Sequence, residues 1–187
     1  MRELVVTQNI TLDGVIDATE GWFEPGGDET DDDQSDVLEA LREQREAADG
    51  LLFGRVTFEQ MRGFWPLQTD DETGITDYLN DVSKYVVSST MHDPEWERTT
   101  VLRGAMVEEV QALKSEPGRD IVTTGSITLV HDLIAAGLVE EYRLFVYPVV
   151  LGHGKRLFAG AREVPRLKLT ETRPFRGGVV LLRYRTA

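Results

Sequence analysis

Short, continuously apolar runs that end in a glycine, serine or threonine and then give way to an amphipathic segment recur along this chain. That alternation limits its fold more than any other feature. Leu51-Leu52-Phe53 precedes Gly54, Tyr85-Val86-Val87 precedes Ser88, and Ile121–Thr123 precedes Thr124-Gly125-Ser126. Runs of three apolar residues without polar alternation suit strands buried on both faces. Between them, Val37, Leu38, Leu41 and Ala48 recur at helical spacing over 36–48, with Gly50 as the expected stop. Further helices are predicted from about Thr57, over 76–82, over 105–115 and over Ile127–Ala136. Leu4–Ile10 opens the series as a strand, Thr100–Leu102 is another, and Tyr142–Val150 reads as a long one. Strands alternating with helices predict parallel pairing with crossover helices on both sheet faces.

The tail departs from that rhythm. Segments 167–173 and 178–185 alternate apolar and polar residues and join through Pro174–Gly178, with Arg176-Gly177-Gly178 as the turn, which predicts an antiparallel hairpin at a sheet edge. The expected fold class is therefore α/β: one domain over 1–187, with a mostly parallel central sheet, flanking helices and an antiparallel C-terminal hairpin. No internal repeat or interior linker divides the chain.

Charge narrows the partners. Thirty-three acids against twenty bases give a net charge of -13, which repels polyanions and argues against nucleic acid or an anionic membrane as partner. A phosphate-bearing ligand would have to be gripped locally, by backbone N–H groups and one or two basic side chains. Residues 17–36 hold nine acids and no base, together with Gly21, Pro25, Gly26 and Gly27, and read as an exposed loop or an active-site flap. Cysteine is absent, so disulfides, thiolate metal sites and cysteine nucleophiles are excluded. His92, His131 and His153 have no partner three or four residues away, so no metal site is expected. The N-terminal run MRELVVTQNI enters a strand directly and no apolar stretch is long enough to span a bilayer, so a cytoplasmic protein is expected.

Three strand ends carry similar chemistry: Phe53-Gly54-Arg55-Val56-Thr57, Val87-Ser88-Ser89-Thr90, and Thr123-Thr124-Gly125-Ser126. In open α/β sheets, ligands bind beyond the carboxyl ends of strands, where glycine admits close approach and a helix N-terminus offers unpaired N–H groups to an anion. Arg55 and Thr57 are placed to meet phosphate oxygens. Neither the G-x-G-x-x-G nor the Walker A pattern is present.

Leu52-Phe53-Gly54-Arg55-Val56-Thr57-Phe58-Glu59 resembles the "GR-x-T-[YWF]-E" segment of dihydrofolate reductase-like proteins. Thr11-Leu12-Asp13-Gly14-Val15-Ile16 resembles the "SLDG-x-I" opening of the riboflavin-biosynthesis reductase domain, and Lys84–Met91 its "K-x-V-x-S-x-TL". Gly125-Ser126 through Leu129, Gly137-Leu138-Val139-Glu140-Glu141, Pro148–Gly154 and Leu157-Phe158 resemble the remainder of that domain, so the match runs from about residue 3 to 185. The resemblance implies the dihydrofolate reductase-like fold, NADPH as cofactor, and hydride transfer to a small polar or heterocyclic substrate, by a reductase similar to 5-amino-6-(5-phosphoribosylamino)uracil reductase or by a stand-alone one of different substrate. It also implies a homodimer. Two departures stand out: Thr124-Gly125 replaces the superfamily's Gly-Gly, and 36–48 lacks the carboxylate pattern of folate reductases.

The resemblance further implies that Gly54, Arg55 and Thr57 hold the diphosphate and the adenosine-side phosphate. Ser88 and Ser89, with Thr90 beside them, take the 2′-phosphate. Gly125, Ser126 and Leu129 approach the diphosphate from the other side, and backbone near Asn9 and Ile16 orients the nicotinamide carboxamide. Asp13, in the loop after the first strand, is the candidate proton relay, against the simpler reading of a turn. Trp22, Phe23 and Trp65 are candidate stacking walls for a substrate ring or caps on the core. Lys155-Arg156 is a candidate phosphate contact, and Glu140-Glu141 reads as a structural connector. Beside the reductase stands a second expectation, a non-catalytic NADP(H)-binding sensor of the same fold.

Overall fold

The computed structural model describes residues 1–19, 21–23, 35–69, 71–162 and 164–187. Most of the acidic segment, including Pro25, Gly26 and Gly27, lies outside the described residues. In chain order the elements are β1 (Leu4–Thr11), α1 (Ser35–Ala47), β2 (Ala48–Gly54), α2 (Arg55–Phe64), a 3-10 turn (Trp65–Leu67), α3 (Ile75–Asp81) and β3 (Ser83–Val87). They continue as β4 (Thr99–Leu102), α4 (Met106–Ser115), β5 (Asp120–Thr123), α5 (Ile127–Ala135), β6 (Glu141–Tyr147), β7 (Leu167–Pro174) and β8 (Val180–Thr186).

All eight strands join one sheet in the order β4-β3-β2-β5-β1-β6-β8-β7. Strands β1 to β6 pair in parallel, while β8 runs antiparallel to β6 and carries β7 as the edge of the predicted hairpin. The parallel strands therefore all deliver their carboxyl ends to one rim, where β1, β2 and β5 lie side by side.

Alternate residues of β1 serve opposite layers, as strand geometry requires. Leu4, Val6 and Ile10 pack with α4 and α5 through Val110, Leu113, Val130, Leu133 and Ile134. Val5 faces the other way, into a cluster of Phe53, Phe58, Leu79, Val86 and Trp96 that seats α2 and α3. Val37 and Ala40 of α1 cover Phe145, Phe175 and Leu181 on the same side. Phe58 is fully buried, and burial of one such side chain contributes about 1.5–3 kcal/mol. It fixes the pitch of α2 and hence where the first turn of that helix points.

Two boundaries differ from expectation. Gly50 does not stop α1; it sits inside β2, where a Cβ would come within 2.6 Å of the Arg2 guanidinium as that side chain crosses the strand to Asp49. The glycine serves a crossing cation, and α1 passes into β2 without a turn between them. The long strand ends at Tyr147 rather than Val150, because Pro148 has no N–H to continue a ladder. Glu140 and Glu141 are connectors: Glu140 accepts from the Leu4 N–H at 2.8 Å and pairs with Lys114, while buried Glu141 accepts from Arg143 and Arg183 at 2.7 and 2.8 Å.

Candidate functional site

A two-lobed cleft opens at the rim where β1, β2 and β5 end. One lobe, of about 620 Å³, is bounded by the first turns of α2 and α5, with Asp17, Arg55, Thr57, Ser126, Leu129 and Lys155 on its wall. The other, of about 860 Å³, is walled by Gln8, Asn9, Phe23, Phe64 and Trp65. Ile16, Thr57, Gln60 and Gly125 line both, so the lobes are continuous.

The wall between the lobes is built by three turns tied together. Gly125 and Ser126 both adopt left-handed backbone, with φ of 59° and 42°. A left-handed conformation costs a serine roughly 1–2 kcal/mol, so it persists only if its surroundings hold it. They do: the Ser126 N–H donates to Thr57 Oγ1 at 2.9 Å, and Ser126 Oγ accepts from the Gly54 N–H at 3.0 Å. Gln8 clamps Gly125 from β1, donating through Nε2 to its carbonyl at 2.9 Å and accepting from its N–H at 3.2 Å. The side-chain amide thus extends the β1–β5 ladder past the point where main-chain pairing stops at Val6↔Thr123.

Neither helix facing the first lobe has a side-chain cap at its N-terminus. The first N–H groups of a helix have no intrahelical acceptor, and here two such sets, from α2 and α5, face one space together with two cations. Gly54 has ordinary extended backbone (φ -78°), and a Cβ there would meet only Leu129 and Ser126 at 3.7–3.9 Å. No protein contact calls for a glycine at this position, whereas a ligand lying against the strand end would.

The remaining expected residues fall differently. Asn9 and Ile16 line the cleft, Phe23 and Trp65 wall its second lobe, and Trp22 does not line it. The Trp22 indole N–H donates to the Asp17 carbonyl at 2.7 Å and its ring meets Tyr147 edge-on. Ser88, Ser89 and Thr90 line neither lobe, although Val87 pairs with Gly54 and puts them just beyond the adjacent strand end. Ser88 is buried, and its hydroxyl accepts from the Thr90 and Met91 N–H groups. Ser89 and Thr90 are exposed.

Asp13 lies outside the cleft lining. Its carboxylate accepts from Thr11 Oγ1 at 2.6 Å and from the N–H groups of Leu151 and Gly152 at 3.3 and 2.8 Å, and Arg156 is 3.5 Å away. The Thr11 hydroxyl first, then the Gly152 N–H, bring its pKa down to about 2. It is an ionised staple between the loop after β1 and the glycine loop after β6. Arg156 turns toward Asp13, leaving Lys155 as the member of that pair at the cleft.

Four contributors were not anticipated. Gln8 carries a faint signal, an amide inside a β-branched run. Gln60, Met61 and Phe64 carry a clear one: with Thr57 they sit at i, i+3, i+4 and i+7 along α2, one continuous stripe that faces the second lobe.

A mostly parallel sheet with an antiparallel C-terminal pair and a cleft across its strand ends is the architecture of the dihydrofolate reductase-like class. A dihydrofolate reductase from Enterococcus faecalis, solved with NADP(H), superposes with a TM-score of 0.62 at 18% identity, covering 98% of this chain and 95% of that one. The family model of the RibD C-terminal domain matches residues 2–181, and the chain belongs to that family. YyaP of Bacillus subtilis (strain 168) is 32% identical over 98% of this chain and 94% of its own. A diaminohydroxyphosphoribosylaminopyrimidine deaminase/5-amino-6-(5-phosphoribosylamino)uracil reductase from Thermotoga maritima has a TM-score of 0.68 at 14% identity, over all of this chain and 57% of that one. Among the described residues no helix is long and apolar enough to cross a membrane.

Proposed function

We propose that this chain is an NADPH-dependent reductase that reduces a small heterocyclic or polar acceptor. The observation that carries the reading is the convergence of two uncapped helix N-termini, Arg55 and Lys155 on one lobe of a continuous cleft. In a chain of net charge -13, such a lobe is a local exception, and its donors suit a diphosphate. Family membership supports the same reading, as do the reductase activities that the Thermotoga and Enterococcus proteins are named for.

In this reading Gly54 lets the diphosphate lie against the β2 strand end, while the N–H groups of α2 and α5, with Arg55 and Lys155, neutralise it. Ser89 and Thr90 meet the 2′-phosphate from the neighbouring strand end. Asn9 and Ile16, at the junction of the lobes, would hold the nicotinamide, and Gln8 keeps Gly125 fixed there. When bound, the dihydronicotinamide supplies the hydride. Asp13 positions the loop that carries Ile16 and is ionised at neutral pH, so it is no proton donor. Among the described residues the second lobe has no titratable lining side chain.

That same lack favours a second reading, an NADP(H)-binding sensor without turnover. Fluorescence titration with NADPH, followed by a panel of carbonyl and imine acceptors, separates the two. Binding with oxidation of NADPH is expected; binding without oxidation across the panel leaves the sensor, and no binding defeats both.

A further inference from the structure

We infer that the acceptor taken by the second lobe is a flat ring compound without a phosphate, an inference that rests on the reductase reading of the same cleft. Cations are divided between the lobes: Arg55 and Lys155 stand on the diphosphate side, and among the described residues the second lobe is lined by no Lys, Arg or His. A phosphate there would have no lining counter-charge among the described residues, which the low dielectric of a cleft makes costly.

The walls suit a ring instead. Phe64 and Trp65 stand edge to face, with centroids 5.1 Å apart at 87°, and Phe23 also lines the lobe. Behind Met61, Trp65 and Thr124 lies a smaller apolar cavity of about 180 Å³. Gln44 Nε2 and Arg45 Nη1 border it, both buried and, among the described residues, without a hydrogen-bond partner. The rest of the Arg45 head is engaged, Nη2 with the Thr73 carbonyl at 3.4 Å and the plane over the Tyr78 ring. Two buried orphan donors call for an acceptor, such as a ring carbonyl or ring nitrogen reaching in from the lobe. This acceptor differs from the phosphoribosylated pyrimidine in the Thermotoga protein's name.

The test uses pairs of probes that differ in phosphate: riboflavin and FMN, uridine and UMP, 1-naphthol and 1-naphthyl phosphate. Calorimetry first measures NADP+ binding alone, then each probe on the NADP+-saturated protein. At least one phosphate-free member is expected to bind, and in every pair that binds it leads its phosphorylated partner by about tenfold or more. Trp65→Ala should weaken 1-naphthol by about tenfold while NADP+ affinity holds, and Gln60→Lys should narrow the gap toward the phosphorylated member. A phosphorylated member that binds tighter in any pair, or a complete lack of binding by the phosphate-free probes, overturns the inference. Failure to bind NADP+ instead overturns the reductase reading, and the probe pairs are then judged on the protein without it.

Discussion

Gln8 and Gly125 are 117 residues apart and share two hydrogen bonds, one through each end of the glutamine amide. Gln8 is buried, so its loss would leave the Gly125 N–H and carbonyl without those partners. Buried groups left unpaired cost about 1–3 kcal/mol. Gln8→Leu should lower stability by about that amount in urea unfolding and weaken NADPH binding about tenfold, because Gly125 then drifts. An unchanged NADPH affinity would mean that the clamp serves the fold alone.

Gly125→Ala meets two obstacles, a φ of 59° and a Cβ that would stand 3.1 Å from Thr57 Cγ2. The second is removable. Thr57→Ser keeps the oxygen that accepts from Ser126 and deletes the methyl group. Gly125→Ala should reduce kcat/KM for NADPH by about tenfold or more, and adding Thr57→Ser should recover part of it, in a double-mutant cycle with clear coupling. Additive effects would show that the clash plays no part.

Arg55 pairs with Glu59 at 3.0 Å on an exposed helix turn, so a phosphate can draw it away at small cost. Ser89 is the better partner to alter, since the Ser88 hydroxyl is occupied in its own turn. Arg55→Ala, at the diphosphate, should raise KM for both coenzymes, whereas Ser89→Ala with Thr90→Ala should raise KM for NADPH about tenfold more than KM for NADH. Equal increases would remove the 2′-phosphate from this strand end.

Asp13 has a folded pKa of about 2 against 3.8 for the free side chain. A depressed carboxyl contributes stability that is complete above the unfolded value and fades as pH falls through the folded one. The stability advantage of the native protein over Asp13→Asn should therefore be constant above about pH 5 and vanish between pH 4 and 2. Denaturant midpoints measured across that range check it. A gap that persists at pH 2 would place the effect in the amide's own contacts.

How much of this was legible depends on whether the signal was local. Leu51-Leu52-Phe53 and Tyr85-Val86-Val87 declared buried parallel strands because both faces are covered, and Arg55 and Thr57 fell on the cleft because the turn after β2 is short. Sheet order was not legible: β1 lies between β5 and β6, and no short window carries that pairing. Gly50 misled for a related reason, since the cation it accommodates comes from Arg2, at the far end of the sequence. Asp13 looked like chemistry because a turn aspartate and a catalytic one look alike until the Leu151 and Gly152 N–H groups are in view. The α2 stripe of Thr57, Gln60, Met61 and Phe64 is open to periodicity alone, because all four fall on one helical face.

Because β1 is flanked by β5 and β6, the first strand made by a ribosome waits for partners about 115 to 140 residues later. Until then its hydrogen-bonding edges and apolar faces stand open and the Asp13 staple has nothing to close on. The coenzyme cradle should thus be among the last parts of the nascent polypeptide to mature, and a stalled chain ending before Glu141 should expose a sticky core strand and recruit chaperones in place of NADPH.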